Sequence, residues 1–184
     1  MNALPSRRFV RTLGVLCFLS TATQVPAEDK MDFAKHPLFK LLIGEWKSEG
    51  TLKGPVGKEV KVEEEWTGKA TAENEFVMEG RRQIDQDKQT YEWKFVHNAA
   101  TGQFTATHHV TSNGEESKRF EVSVSEVALT MELRLIGDGD SAITVKDAFS
   151  DKDHDTLESE VTLTGTAGET NLSGKIVHTR VKKP

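Results

Sequence analysis

From Gly44 to the C-terminus the apolar residues recur at every second position. Val60, Val62 and Trp66 share one parity, as do Phe76, Met78 and Ile84, and then Tyr91, Trp93 and Phe95. Phe104, Ala106 and Val110 follow, then Phe120, Val122 and Val124. Parity changes at Ser125-Glu126, after which Val127, Leu129, Met131, Leu133 and Leu135 line up. Ile143, Val145 and Phe149 make a further set, Leu157, Val161 and Leu163 the next, and Leu172 and Ile176 the last. A period of two is the mark of strands with one buried face. With Trp46 to Leu52 added, about ten short strands are expected. Thr101-Gly102, Asn113-Gly114, Gly137-Asp138-Gly139-Asp140 and Gly165-Thr166-Ala167-Gly168 supply turns between them. The connections are too short for crossover helices, so the strands form an antiparallel meander, which hides its edges most simply by closing into a barrel. Ahead of the strands, His36-Pro37 opens the apolar run Leu38–Ile43, which stops at Gly44. Proline at the start and glycine after the end predict one or two helical turns. The expected fold is all-β: a single antiparallel meander of about ten strands, closed into a barrel, with a short N-terminal helix.

The N-terminal segment changes the picture of where the chain works. Arg7, Arg8 and Arg11 form a basic region without acids, an apolar stretch runs from Leu13 to Leu19, and Val25-Pro26-Ala27 precedes Glu28. The apolar stretch is well below the roughly 20 residues of a spanning helix, so residues 1–27 read as a secretory signal peptide and 28–184 as the barrel domain. Ser6–Arg11 also resembles, loosely, a twin-arginine export pattern. An exported protein, periplasmic or extracellular, is expected. Glu28–Lys35 reads as a loose leader to the domain. The whole chain has 24 Lys+Arg against 29 Asp+Glu, a net charge of −5. Three arginines and no acid leave with the signal, so the mature domain is more acidic still. That charge opposes nucleic-acid phosphates and anionic membranes, and neither is an expected partner. The single cysteine, Cys17, lies in the signal, leaving the domain without thiol ligands or disulfides.

A resemblance now attaches to particular residues. A short helix, Gly44-Glu45-Trp46 opening the first strand and Arg180 on the last resemble the calycin superfamily. There the tryptophan closes one end of the barrel and a basic residue of the final strand packs across its ring. Trp46 and Arg180 are thus expected to be a structural pair, held by cation–π attraction. Within that superfamily, the run His36–Trp46 is similar to the bacterial lipocalin-like proteins of the domain of unknown function 1579 family. That resemblance implies a lipocalin-like β-barrel and no particular activity. The chain also resembles, more distantly, the nitrobindin-like haem-binding barrels. In those barrels a last-strand histidine ligates iron, and His178 stands at a comparable place. Lys47-Ser48-Glu49-Gly50 departs from their glycine-richer run, and no tyrosine adjoins His178.

Parity also picks out polar residues on the apolar face. Glu64 falls with Val62 and Trp66, Arg82 with Met78 and Ile84, His97 with Phe95, and His108 with Ala106. An inward arginine could hold a ligand carboxylate bidentately. A small, partly apolar ligand in the barrel is therefore the expected partner. Tyr91, Trp93, Phe95, Phe104, Phe76, Met78 and His108 would line its pocket and Arg82 would fix its polar head. A filled barrel acting as a scaffold is the alternative. A four-residue loop after Asn98 would set His97 opposite Phe104 and His108 opposite Trp93. The two histidines would then be roughly 13 Å apart at ~3.4 Å per residue, too far to share a metal. Asp151–Asp155 starts like a calcium loop but has Thr156 and Thr162 at the positions needing glycine and glutamate. No metal, no catalytic triad and no cofactor is expected, with haem at His178 as the remaining alternative.

Overall fold

A computed structural model describes residues 31–182 apart from 72, 73, 113, 115, 138–141, 151 and 166–170. The signal-peptide reading therefore lies outside the described residues. Helix α1 (Phe39–Leu42) is followed by strands β1 (Gly44–Lys53), β2 (Glu59–Ala70), β3 (Glu75–Ile84), β4 (Asp87–Asn98) and β5 (Gln103–Val110). β6 (Lys118–Ser125), β7 (Thr130–Ile136), β8 (Ala142–Phe149), β9 (Thr156–Thr164) and β10 (Leu172–Arg180) complete the set. Each strand pairs antiparallel with its predecessor, and β10 pairs with β1 to close the barrel. No edge is left unpaired, which removes the template for edge-to-edge association.

Alternation along the strands becomes inside and outside. On β2, Val60, Val62 and Trp66 are buried, while Glu59, Lys61 and Glu63 face solvent. The interior divides into two apolar zones. One, at the helix end, is aromatic: Phe33, Phe39, Phe76, Phe95 and Phe120 are almost fully buried there. The other, towards the opposite mouth, is aliphatic, built on Leu52, Val60, Val62 and Ile176.

Helix α1 plugs the first end. The His36 ring sits just before it, with Nδ1 accepting the backbone N–H of Leu38 at 3.2 Å, one of the donors a helix start leaves unpaired. At its C-terminal side Arg180 donates to the carbonyls of Ile43 (2.8 Å) and Leu41. The Trp46 indole N–H donates to Leu42 O at 3.2 Å. Close approach of this helix to β2 requires Gly68: a Cβ there would lie 2.1 Å from Leu42 O.

Two local expectations change. Val127 and Leu129 do not belong to the strand of Met131. They sit in the β6–β7 turn, where Val127 is 98% exposed and Leu129 adopts φ 52°. Ser125 Oγ accepts the Ala128 N–H and holds that turn, so the parity change marks a reversal of the chain. The segment before the helix is also no loose leader where it is described. Phe33 is buried against Phe39 with ring centroids 4.7 Å apart.

Candidate functional site

Between the two apolar zones the lumen carries a belt of inward polar side chains. Strand pairing sets several of them side by side. Asp147 lies opposite Ser159 on β8 and β9, His178 opposite Ser48 on β10 and β1, and Ser48 opposite Glu64 on β2. Glu64 is opposite Arg82 on β3, Arg82 opposite Gln89 on β4, and His108 of β5 opposite Lys118 of β6. The belt encloses a cavity of about 280 Å³, whose lining also includes Val62, Ile176, Trp93 and Phe95.

The β8–β10 side of the belt is a directed hydrogen-bond chain. The Trp66 indole can only donate, and its Nε1 lies 3.1 Å from His178 Nδ1 and 3.2 Å from Ser48 Oγ. His178 Nδ1 is therefore the unprotonated nitrogen, and the Ser48 hydroxyl donates to it at 2.5 Å. The ring proton sits on Nε2, facing Ser159 Oγ at 2.8 Å. Ser159 then donates to Asp147 Oδ1 at 2.5 Å. Burial pushes the His178 imidazole down to about 4, so it is neutral in this chain. Burial pushes the Asp147 carboxyl up to about 6. The Ser159 bond opposes that rise, and the nearby Glu64 charge adds to it.

Opposite stands a cationic side. Arg82 Nε donates to Gln89 Oε1 at 2.9 Å, and its guanidinium carbon is 5.3 Å from the Tyr91 ring centroid. Among the described residues its terminal nitrogens have no hydrogen bond or ion pair. Tyr91 donates to Glu64 Oε2 at 3.2 Å, while burial raises the Glu64 carboxyl and the Arg82 charge opposes that rise. His108 is buried, and its Nε2 has no hydrogen-bond partner among the described residues. Burial, with Arg82, Lys118 and His109 as neighbouring charges, depresses it to about 3. It is a neutral imidazole facing the cavity with an unmet polar atom, next to a guanidinium with free donors.

Of the pocket residues expected from sequence, Arg82, Tyr91, Trp93, Phe95, Met78 and His108 line the cavity. Phe76 and Phe104 do not, and this is a correction. Both belong to the aromatic cluster under α1, with centroids 5.1 and 5.6 Å from Phe39. Their strands point them inward, but the plug fills the lumen at that level. His97 lies opposite Phe104 and His108 opposite Trp93, the register that a four-residue loop dictates. Arg180 Cζ stands 4.4 Å from the Trp46 ring centroid, and the ring's other side stacks on Trp66 at 5.2 Å. Ser48, Asp147 and Ser159 were not singled out from sequence. The signal existed, since Asp147 shares parity with Val145 and Phe149, and Ser159 with Leu157 and Val161.

No group of three or more His, Cys, Asp or Glu placed to hold a metal occurs among the described residues. His178 does not suit haem iron. Both its ring nitrogens are engaged by protein groups. A wider concavity of about 680 Å³ lies along β10, β1, β2, β3 and β4, where most lining residues face outward. Lys47 and Arg81 there both pair with Glu65, and Glu64 and Arg82 line this concavity as well as the lumen.

No protein-family model matches the chain, and no curated protein matches it. Solved structures do. The S-type phycobiliprotein lyase CPES from Guillardia theta superposes with a TM-score of 0.59 at 13% identity, covering 85% of this chain and 97% of that one. Rv2717c from M. tuberculosis gives 0.55 at 15% identity, covering 77% and 94%. At such identities the likeness is one of fold. The chain has a lipocalin-like fold, a closed ten-stranded meander barrel with one short helix.

Proposed function

We propose that this barrel binds a small, partly apolar molecule with an anionic head group, held at Arg82. The observation that carries the reading is the presence of two unmet polar groups on the cationic side of the lumen. Among the described residues the terminal nitrogens of Arg82 lack acceptors and the buried His108 Nε2 lacks a partner. An unpaired buried polar atom such as His108 Nε2 costs on the order of 1–3 kcal/mol, and a ligand carboxylate held between it and the half-buried Arg82 would remove that cost. Lys118 lines the same cavity and adds positive charge. The aliphatic zone around Val62 and Ile176 accommodates the apolar part of the ligand.

The finer relation, to the lipocalin-like proteins of the domain of unknown function 1579 family, belongs to this proposal and rests on the run His36–Trp46. So does export to the periplasm or the outside, on the basic and apolar order of residues 7–19 and the small-residue pattern before Glu28. The CPES lyase, similar in fold, is described by an activity on phycobiliproteins, and that activity is not carried over.

Calorimetric titration with octanoate and with octanol tests the head group. Octanoate should bind more tightly, and Arg82→Leu should weaken it on the order of tenfold to a hundredfold, as loss of a charge-assisted hydrogen bond does. Equal binding of acid and alcohol, or of acid to wild type and Arg82→Leu, would refute the assignment of Arg82.

A further inference from the structure

The cationic group at Arg82 and His108 has a counterpart across the lumen. Asp147 is 9% exposed and lines the cavity. Its carboxylate takes one hydrogen bond, from Ser159, and its second oxygen has no donor among the described residues. The chain behind it has a fixed sense: Trp66 and Ser48 both donate to His178 Nδ1, the Nε2 proton faces Ser159, and Ser159 donates to Asp147. Every donor in that chain is used before the carboxylate is reached. When the carboxylate is ionised, its free oxygen is open to a donor from inside the cavity.

We infer that the lumen takes a carboxylic acid bearing a second, hydrogen-bond-donating group, the acid at Arg82 and the donor at Asp147. The inference rests on the head-group reading of Arg82 given above. The ring of strands adds a spacing to the ligand. β8, which carries Asp147, is five strands from β3, which carries Arg82, in either direction round the closed barrel. Ten strands spaced ~4.8 Å apart and tilted ~40° make a barrel roughly 20 Å across at the backbone. The two side chains therefore reach in from opposite walls, and the acid and the donor sit on well-separated atoms of the ligand. An α-hydroxy acid has its two groups on neighbouring carbons and cannot reach both. The size is also bounded: about 280 Å³ lies at the low end of ordinary ligand sites, which run ~300–1,000 Å³. That is a compact ligand, not a long-chain lipid.

The donor can be a hydroxyl or an amine, and a titration series separates them. Octanoate, its α-hydroxy derivative, its terminally hydroxylated derivative and its terminally aminated derivative are compared against the full domain. The terminal hydroxy or amino acid should bind about tenfold or more tightly than octanoate, and the α-hydroxy acid should show no gain. Asp147→Asn keeps the shape and the acceptor for Ser159 but turns the free oxygen into an amide donor, so the gain of the terminal amine, which as an ammonium can only donate, should vanish. Terminal derivatives no tighter than octanoate, or an amine gain that survives Asp147→Asn, would overturn the inference and leave the Arg82 head group standing. Octanoate that fails to bind wild type would overturn both. Should Asp147→Asn not fold, the terminal-versus-α comparison in wild type decides alone.

Discussion

Acidification from pH 7 to pH 4 should destabilise this barrel, and Asp147→Asn should make the loss larger. His178 is held down at about 4 and His108 at about 3, against an ordinary value near 6.5. Below 6.5 the unfolded chain takes up protons that the folded chain refuses, so stability falls as pH falls. At about 1.4 kcal/mol per pH unit, each histidine costs about 3 kcal/mol by pH 4. Asp147 works in the opposite sense. Its carboxyl is raised to about 6 from 3.8, so between those values the folded chain holds a proton that the unfolded chain has lost. Stability from this group is greatest in acid and declines as pH rises through that window, returning about 2–3 kcal/mol on the way down to pH 4. Glu64, also raised, acts in the same sense. The wild-type loss should be about 3–4 kcal/mol from these three groups, a large part of an ordinary domain's stability. Asparagine cannot take the compensating proton, and the variant's loss should approach about 6 kcal/mol. At pH 7 the variant should be the more stable protein, since it buries no charge. Urea unfolding at both pH values, with equal slopes checked, measures the four free energies. A variant whose acid loss is no larger than that of wild type would refute the buried, proton-accepting carboxylate and the orientation given to the Ser159 bond.

Trp46→Ala and Arg180→Ala should couple in a double-mutant cycle by about 0.5–2 kcal/mol, the value of the cation–π contact, and strict additivity would show that no such contact forms. Gly68→Ala should cost several kcal/mol or prevent folding, because its Cβ meets Leu42 O, whereas Gly102→Ala, at φ 69° with open space around it, should cost only about 1; thermal melts compare the two. Hemin added to the purified protein should keep its free spectrum, and a saturable Soret shift abolished by His178→Ala would overturn the locked-histidine geometry. Protein recovered from an exported fraction should begin at or near Glu28, and an intact Met1 there would contradict the signal-peptide reading.

The barrel was legible because its physics is written in parity. One buried face per strand and short polar turns leave few other ways to arrange about ten strands. The histidine register was legible too, since the loop length after Asn98 sets it. Parity failed at Val127 and Leu129, where two apolar residues in a turn imitated the start of a strand. It also could not tell which inward rings line a cavity and which form a plug. Phe76 and Phe95 both point inward and both pack against Phe39 of α1, yet only Phe95 also reaches the cavity, and that depth is a tertiary fact. The belt was half visible. Arg82 and His108 stand out as costly inward residues, but Ser48 and Ser159 are small enough to pass as spacers between apolar neighbours. Their part depends on partners far away in sequence, as with Ser48 and His178.

Nine of the ten strand pairings join neighbours in the chain, and a single seam, β1 against β10, joins its distant ends. Sequential hairpins can form one after another at small loop-closure cost, but the seam must wait for the last strand to be made. Until then the sheet is open, with β1 and β9 offering unpaired backbone to any other strand. Lysine and glutamate punctuate both of those edges, at Lys47, Glu49 and Lys53 on β1 and at Glu158 and Glu160 on β9. Placed there, the same charges that solubilise the finished barrel also guard the half-made one against its neighbours. A chain cut before Leu172 would be left with its two most vulnerable strands permanently apart, each an invitation to assemble with another copy.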